Sequence, residues 1–407
     1  MRRRVRRRPD ASDRAAIAGR DGHVKVLHLG KYFPPSHGGM ETHLSLLASR
    51  LAPLVEVDVA VAAGDQPHGR ETVGGVTVHR MRTLGVLAST PICPELFTII
   101  RDVRPDLVHL HHPHPLAMLG YLASGSRVPC VVGYHSDIVR QRVLGRLTAP
   151  IVRATLRRSG AILVASPHYL ESSTVLQPFR RTCHVVPYGF EPIEPARIDQ
   201  RAVAELRARY GPRLVLAVGR LTAYKGFEYL VRAMADVDAR LLIVGEGPCR
   251  PMLERLVSTL GLHDHVTLLG AVPDVAPYYE ACDVFVLPSI SRNEAFGIVQ
   301  LEAMAAGRPV VNTAIGSGVE YACPPGLCGL AVAPADPAAL AGAIRQLLAD
   351  PALRRALGAA GRARVTAEFS AAEMVRQTLN IYQQAVLVGA GATASRAAAK
   401  AARTRVS

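Results

Sequence analysis

Four residues far apart in the chain carry the strongest chemical signal: Arg220, Lys225, Glu294 and Glu302. Lysine occurs only at 25, 31, 225 and 400, although Lys and Arg together number 48, so a generic surface cation here would be written as Arg. Lys225 beside Arg220 therefore points to a site that uses a compact ammonium next to a planar guanidinium fork. In Glu294-Ala-Phe-Gly-Ile-Val-Gln-Leu-Glu302, Gly297 marks a helix start. The amides of Phe296, Gly297 and Ile298 are thus placed to receive a diphosphate. Carboxylates repel phosphate but accept hydrogen bonds from sugar and ribose hydroxyls. Cations and amides for phosphates, with Glu294 and Glu302 for hydroxyls, make a coherent set for a sugar nucleotide.

In open α/β sheets ligands bind beyond the carboxyl ends of the strands, so each motif should follow a strand. Gly38 and Gly39 do so, ahead of a helix starting near Met40. Two glycines there let backbone approach a ligand, although the same pair also makes an ordinary turn. His135, in Tyr134-His-Ser-Asp137, ends another strand and could hydrogen-bond a sugar or phosphate, or be structural. Gly245-Glu-Gly-Pro248 is a strand-to-helix turn of a kind any α/β fold contains. Asp236-Val-Asp238 has the form of a metal-binding pair but precedes its strand, at the wrong edge of the sheet. His109, His111, His112 and His114 cluster around the end of 106–112, and alternation puts His109 and His111 on one face, where they could ligate a metal. No local acid or Cys joins them, which favours packing and cleft lining. No P-loop, GxGxxG or GxSxG is present.

These motifs need two sets of parallel strands to hold them. Apolar runs at 24–30, 55–63, 76–82, 106–112, 130–136, 161–166 and 183–189 alternate with helical-period segments. A second series follows at 213–219, 240–247, 266–270, 284–289, 309–314 and 329–333. That alternation predicts βαβ units in two doubly wound domains. Segments 337–348, 351–367 and 370–388 read as terminal helices. The boundaries predicted are a disordered basic arm 1–22, a domain 23–190, a linker 191–212, a domain 213–370, a helix 371–388 and a disordered basic tail 389–407.

The 407 residues are 49% apolar and 20% charged, a globular balance. No apolar run reaches membrane-spanning length, and the Arg-rich start lacks the apolar stretch of a secretory signal. Seven scattered Cys argue against a disulfide framework and for a reducing compartment. The formal charge of +15 invites a nucleic-acid reading. It is concentrated in the two termini and in 139–158, where Arg140, Arg142, Arg146, Arg153, Arg157 and Arg158 stand without an acid. Aromatics are 5% and Trp is absent, so the basic-and-aromatic pattern of a nucleic-acid surface is missing. Segment 139–158, at near-helical spacing but interrupted by Pro150, suits an anionic membrane surface, a pyrophosphate-bearing lipid, or simply solvent.

With Gly219-Arg220-Leu-x3-Lys225-Gly226, Gly38-Gly39-Met40-Glu41 and Glu294-x7-Glu302, the sequence resembles retaining glycosyltransferases of family 4 over roughly 24–388. Lys31–His43, Tyr134–Gln141 and Glu294–Met304 look most like bacterial mannosyltransferases of O-antigen or exopolysaccharide synthesis. The resemblance implies the GT-B fold, two Rossmann-like domains facing across a cleft, with acceptor held by the first and donor by the second. A last helix is expected to cross back to the first domain. The resemblance gives Arg220 and Lys225 to the donor diphosphate and Glu302 to the ribose. It gives Glu294 and the Phe296–Ile298 amides to the transferred sugar and distal phosphate. Gly38 and Gly39 lie against the phosphates, and His135 lies near the sugar. No catalytic metal or cofactor is implied. The expected partners are a sugar nucleotide, GDP-mannose first, and a glycan or polyprenyl-diphosphate-linked acceptor. A cytoplasmic location follows, peripheral to the membrane through 139–158, with no specific nucleic acid. A UDP-sugar donor, or a GT-B epimerase or phosphorylase, stays open. The base would be read near Ala271–Pro273 and Ser289, which carry no decisive side chain.

Overall fold

The computed structural model describes residues 24–36, 38–137, 142–192 and 195–404, without side chains for 142–144 and 389–404. The basic arm, His37 and residues 139–141 of the basic segment lie outside the described residues.

The chain divides into two compact units. The first takes the described chain up to Val164, Val175–Val186 and the helix from Ala371 on. The second takes Ala165–Thr174 and Pro187–Ser370. The stretch 191–212 carries the helix Gln200–Tyr210, which belongs to the second unit, with Tyr210 buried in that core.

In the first unit lie β1 (Lys25–Leu29), β2 (Glu56–Ala62), β3 (Gly69–Val73), β4 (Val76–Met81), β5 (Gly85–Leu87) and β6 (Thr90–Ile92). They are followed by β7 (Leu107–His112), β8 (Cys130–Tyr134), β9 (Ala161–Val164) and β10 (Cys183–Val185). Eight form one sheet in the order β10-β9-β8-β7-β1-β2-β4-β3, parallel except for the edge strand β3. Strands β5 and β6 pair as a separate hairpin. The second unit holds β11 (Leu214–Val218), β12 (Arg240–Val244), β13 (Val266–Gly270), β14 (Val284–Leu287), β15 (Val310–Thr313) and β16 (Gly329–Val332). Their order is β13-β12-β11-β14-β15-β16, all parallel.

The two central strands of the second sheet are apolar along their whole length because helices cover both faces, as parallel sheets require. Val215, Leu216 and Ala217 of β11 and all of β14 are buried. Each sheet has one switch point, where the strand order reverses: between β1 and β7, and between β11 and β14. Chain leaving two neighbouring strands there runs to opposite sides of the sheet and opens a crevice.

Two helix starts of the second unit, Pro337–Ala349 and Pro351–Glu368, are set by Asp caps. Asp336 accepts from the Ala339 amide at 2.9 Å and Asp350 from those of Ala352 and Leu353, each with Pro at the next position. Two expectations are corrected. The last helix does not stop at 388 but runs Ala371–Thr404, because an Ala-rich stretch has high intrinsic helix propensity. Pro150 does not interrupt the basic segment: one helix spans Arg142–Arg158 through it. That helix buries Val152 and Leu156 and exposes Arg146, Arg153, Arg157 and Arg158, with Leu147 also exposed. No described helix is long and apolar enough to cross a membrane.

Candidate functional site

At the second switch point, β11 delivers Gly219 and Arg220 and then a short turn, Ala223–Lys225, before the helix Phe227–Ala233. Strand β14 delivers Ser289 and the loop to Glu294, before the helix Ile298–Ala305. Two close approaches fasten these loops together. The Ile290 amide donates to the Tyr224 carbonyl at 2.8 Å, and Gly226 sits against the Pro288 carbonyl where a Cβ would collide.

The result is a contact between residues 69 positions apart. The Lys225 ammonium lies 2.5 Å from Glu294 Oε2, and both side chains are about nine-tenths buried. Glu294 Oε2 also accepts from Ser289 Oγ at 3.0 Å. Burial by itself would depress the Lys225 pKa, but the Glu294 carboxylate and the Tyr224 ring side oppose it, and the net shift is upward. Lys225 is thus a firmly held cation. Its nitrogen also lies 5.8 Å from the centre of the Tyr224 ring.

Three residues beyond Glu294, Gly297 adopts φ 72°, ψ 63° and forms the N-cap of the helix Ile298–Ala305. A Cβ there would lie 2.5 Å from Leu287 Cδ2, so both conformation and space call for glycine. The amides of Phe296, Gly297 and Ile298 find no acceptor among the described residues. The loop is fixed from behind: Phe296 is buried between Tyr188 and Phe369. Gln300 Nε2 donates to the Phe296 carbonyl at 2.7 Å and to that of Val319 at 3.1 Å, and Asn312 donates to Gln300. These contacts hold unbonded N–H groups at a helix N-terminus, where anions are favoured.

Glu302 lies one turn into that helix. Burial raises its pKa, partly offset by the neighbouring Tyr279 hydroxyl. Arg220 is exposed and makes no ion pair among the described residues. The structure therefore joins Lys225, Glu294 and the Gly297 amides. It sets Arg220 on the same loop as Lys225 and Glu302 on the same helix as those amides, and records no direct contact of either with the Lys225–Glu294 pair. Sequence reasoning missed the ion pair itself, together with Tyr279 and Tyr224. Asp238, by contrast, pairs with Arg213 at 2.6 Å, on the amino side of β12.

In the first unit, Gly38 and Gly39 precede and open the helix Gly39–Leu51, one residue before the expected start near Met40. His135 is buried directly after β8. Its Nε2 is 2.9 Å from His111 Nδ1, and His111 Nε2 is 3.0 Å from His28 Nδ1. His109 Nδ1 meets the Tyr382 hydroxyl at 2.5 Å. Burial depresses every one of these rings, His28 to about 3 and His43 to about 4, so they are neutral. His112 and His114, also depressed to about 3 by burial, sit apart from this group, with His112 stacked on Tyr134. The cluster thus contains His28 and His43, which the sequence did not single out. Strand pairing was the available signal, since His28 of β1 lies opposite His109 of β7.

The two parallel α/β units have counterparts among known proteins. Residues 199–364 match the family of glycosyl transferases group 1, and residues 38–189 match a glycosyl transferase 4-like domain. The chain is 34% identical to the D-rhamnosyltransferase WbpZ of Pseudomonas aeruginosa, over 86% of this chain and 93% of that protein. It is 30% identical to the O-antigen chain mannosyltransferase C of Escherichia coli, over 88% and 98%. Among solved structures, sucrose-phosphate synthase from Thermosynechococcus elongatus superposes with a TM-score of 0.74 at 28% identity, covering 89% of this chain and 98% of that one. The glycosyltransferase WaaG of lipopolysaccharide biosynthesis superposes at 0.65 and 21%, a likeness of fold. With two parallel α/β units, both family models and relatives matched almost end to end, the chain belongs to the family 4 type of glycosyltransferases and has the GT-B fold.

Proposed function

We propose that the protein is a retaining hexosyltransferase that moves mannose from GDP-mannose to a glycan or lipid-linked saccharide in cell-surface polysaccharide synthesis. The observation that carries this reading is the buried Lys225–Glu294 pair, 2.5 Å apart, with Glu294 three residues before the Gly297 helix start. It is a preformed cation, carboxylate and amide set of the kind a nucleoside-diphosphate sugar uses. The named relatives support the sugar: one is an O-antigen mannosyltransferase, and another, from Mycolicibacterium smegmatis, is described as GDP-mannose-dependent. A 6-deoxy-mannosyl donor is the second reading, because a D-rhamnosyltransferase matches at 34%.

As the sugar–phosphate bond breaks, negative charge develops on the departing diphosphate. Lys225, Arg220 and the Phe296–Ile298 amides are the groups that would receive it, without reorganisation at the moment of reaction. Glu294 would accept from a sugar hydroxyl while keeping Lys225 in place, and Glu302 would accept from the ribose. Those cations do the work a metal would do elsewhere, so transfer is expected to persist in chelator. Front-face attack by the acceptor hydroxyl, with the leaving phosphate taking its proton, retains configuration without a protein nucleophile. The exposed Arg146, Arg153 and Arg157 suit a peripheral contact with an anionic cytoplasmic membrane face.

The test is thermal shift with a panel of sugar nucleotides, followed by turnover with and without a glycan acceptor. A donor at about 100 times its Kd should stabilise the fold by about 2.7 kcal/mol. GDP-mannose should lead, and sugar release should need acceptor. A UDP-sugar in first place overturns the donor, and turnover without acceptor overturns transfer.

A further inference from the structure

Five clustered imidazoles of the first unit, His28, His43, His109, His111 and His135, are arranged in a way that their burial alone does not explain. His28 and His111 have ring planes 23° apart with centroids at 5.3 Å; His111 and His135 are 4° apart at 5.2 Å. With nitrogens at 3.0 and 2.9 Å, these rings lie edge to edge, each presenting a nitrogen to the next. His109 stacks on His111 at 4.4 Å and is itself held by Tyr382. Gly133 makes room for this: a Cβ there would lie 2.9 Å from His109 Nε2 and 3.3 Å from His135 Nε2. A side chain at 133 would push into the His111–His135 contact, so the bare strand position is part of the arrangement.

The same rings could present three nitrogens to a cation, His28, His109 and His111 lying close enough together. Their planes argue otherwise. Facing nitrogens are spent on one another, and the cluster as described contains no carboxylate or thiol to offset a buried double charge.

A chain of neutral imidazoles has a direction, since each N–H···N contact has one hydrogen. Either His28 Nδ1–H donates to His111 and His111 Nδ1–H donates to His135, or every hydrogen points the other way. The inner end decides. His28 Nε2 is buried with no partner. In the first arrangement it is a bare lone pair; in the second it is an orphaned N–H, the rarer and less tolerated defect. The hydrogens therefore run outward, and His135 accepts at Nε2 and carries its own hydrogen on Nδ1.

We propose that His28 and His111 are positioning residues: a two-ring hydrogen-bonded chain that fixes the ring plane and Nδ1–H tautomer of His135 for sugar transfer. This rests on the proposed function and on the place near the transferred sugar that the family resemblance gives His135. It goes beyond that reading by assigning roles to two buried residues that touch no substrate.

The experiment has two arms on the full-length protein. In the first, 15N-histidine NMR on the wild type should show His111 and His135 as neutral Nδ1–H tautomers with hydrogens slow to exchange. Nε2–H tautomers, or a stoichiometric transition metal bound by these rings in the purified protein, would overturn the chain. In the second, His111→Leu should lower kcat on the order of 100-fold with donor KM within about 2-fold, the effect of misplacing one hydrogen-bond donor aimed at the reacting sugar. His111→Asn, whose amide can still donate to His135, should recover most of that loss. A purely packing role predicts the reverse, with Leu tolerated and Asn harmful, and that result would sink the proposal. Should the wild type transfer no sugar at all, the functional reading fails, while the NMR arm still decides the chain.

Discussion

Acidification should unfold the first unit and spare the second at first, and the size of the effect follows from the histidines. His28, His43, His109, His111, His112, His114 and His135 are all buried, and burial depresses all seven far below the ordinary 6.5. The folded values lie below the unfolded one, so the unfolded chain binds protons that the folded chain refuses. Above pH 7 the rings contribute nothing to the pH dependence. As pH falls through 6.5 stability is lost, and the loss continues until the folded values, near 3 to 4 where resolved, are reached. By linkage each ring costs about 0.8 kcal/mol at pH 6, so seven together remove about 6 kcal/mol, and at pH 5.5 about 10 kcal/mol. Those losses match the whole stability of an ordinary domain. For a unit of this size, a loss of about 6 kcal/mol lowers the melting temperature by roughly 12–24 °C. Calorimetry between pH 7.5 and 5.5 measures this, and hydrogen exchange locates it. Peptides from β1, β7 and β8 should lose protection well before those from β11 and β14. A first-unit transition that moves by less than about 3 °C between pH 7.5 and 6 would refute the reasoning, since the rings would then have to be protonated or charge-compensated when folded.

The buried Lys225–Glu294 pair makes single substitutions ambiguous, and a double variant resolves them. Lys225→Ala should slow transfer about 30- to 200-fold through loss of one charge-assisted contact. It should also destabilise the protein by about 3–5 kcal/mol, because Glu294 is left buried without its counterion. Lys225→Met with Glu294→Leu should restore much of the melting temperature and none of the turnover; recovered turnover would take both residues out of the chemistry. Gly297→Ala forces a side chain into φ 72° and toward Leu287, which should cost about 1–3 kcal/mol and raise the donor KM. An unchanged melting curve would show that the loop relaxes and that the amide geometry is not fixed by glycine.

The core strands were legible because a parallel strand buried on both faces must be an unbroken apolar run, and such runs stand out between helical periods. The strands that escaped notice are those without this signal. β3, Gly-Arg-Glu-Thr-Val, is exposed throughout at a sheet edge, and β5 exposes all three residues. The last helix outran its expected end because small residues read as a tail when they lack a hydrophobic face, yet Ala favours helix without one. Lys225 was visible through lysine's rarity, and Glu294 through its place before a glycine helix start. Their pairing was not visible, since 69 residues separate them and only the adjacency of β11 and β14 makes them neighbours. His28 was hidden for the same reason: it faces His109 across a pairing between strands more than 75 residues apart.

The two sheets reverse their strand order at one point each, and the chemistry placed there differs for a physical reason. At the second switch point a cation and a carboxylate are buried together, each tolerable because the other is 2.5 Å away. At the first, the polar groups are packed beneath a helix, with Tyr382 against His109 and no described carboxylate in the cluster. A charged side chain there would be uncompensated. A neutral imidazole donates at one ring nitrogen and accepts at the other, so a row of such rings can carry a directed hydrogen bond through a core that excludes charge. The same requirement makes the first unit sensitive to acid. The neutrality that lets five rings pack together at pH 7 is what protonation of the unfolded chain competes against below pH 6.5.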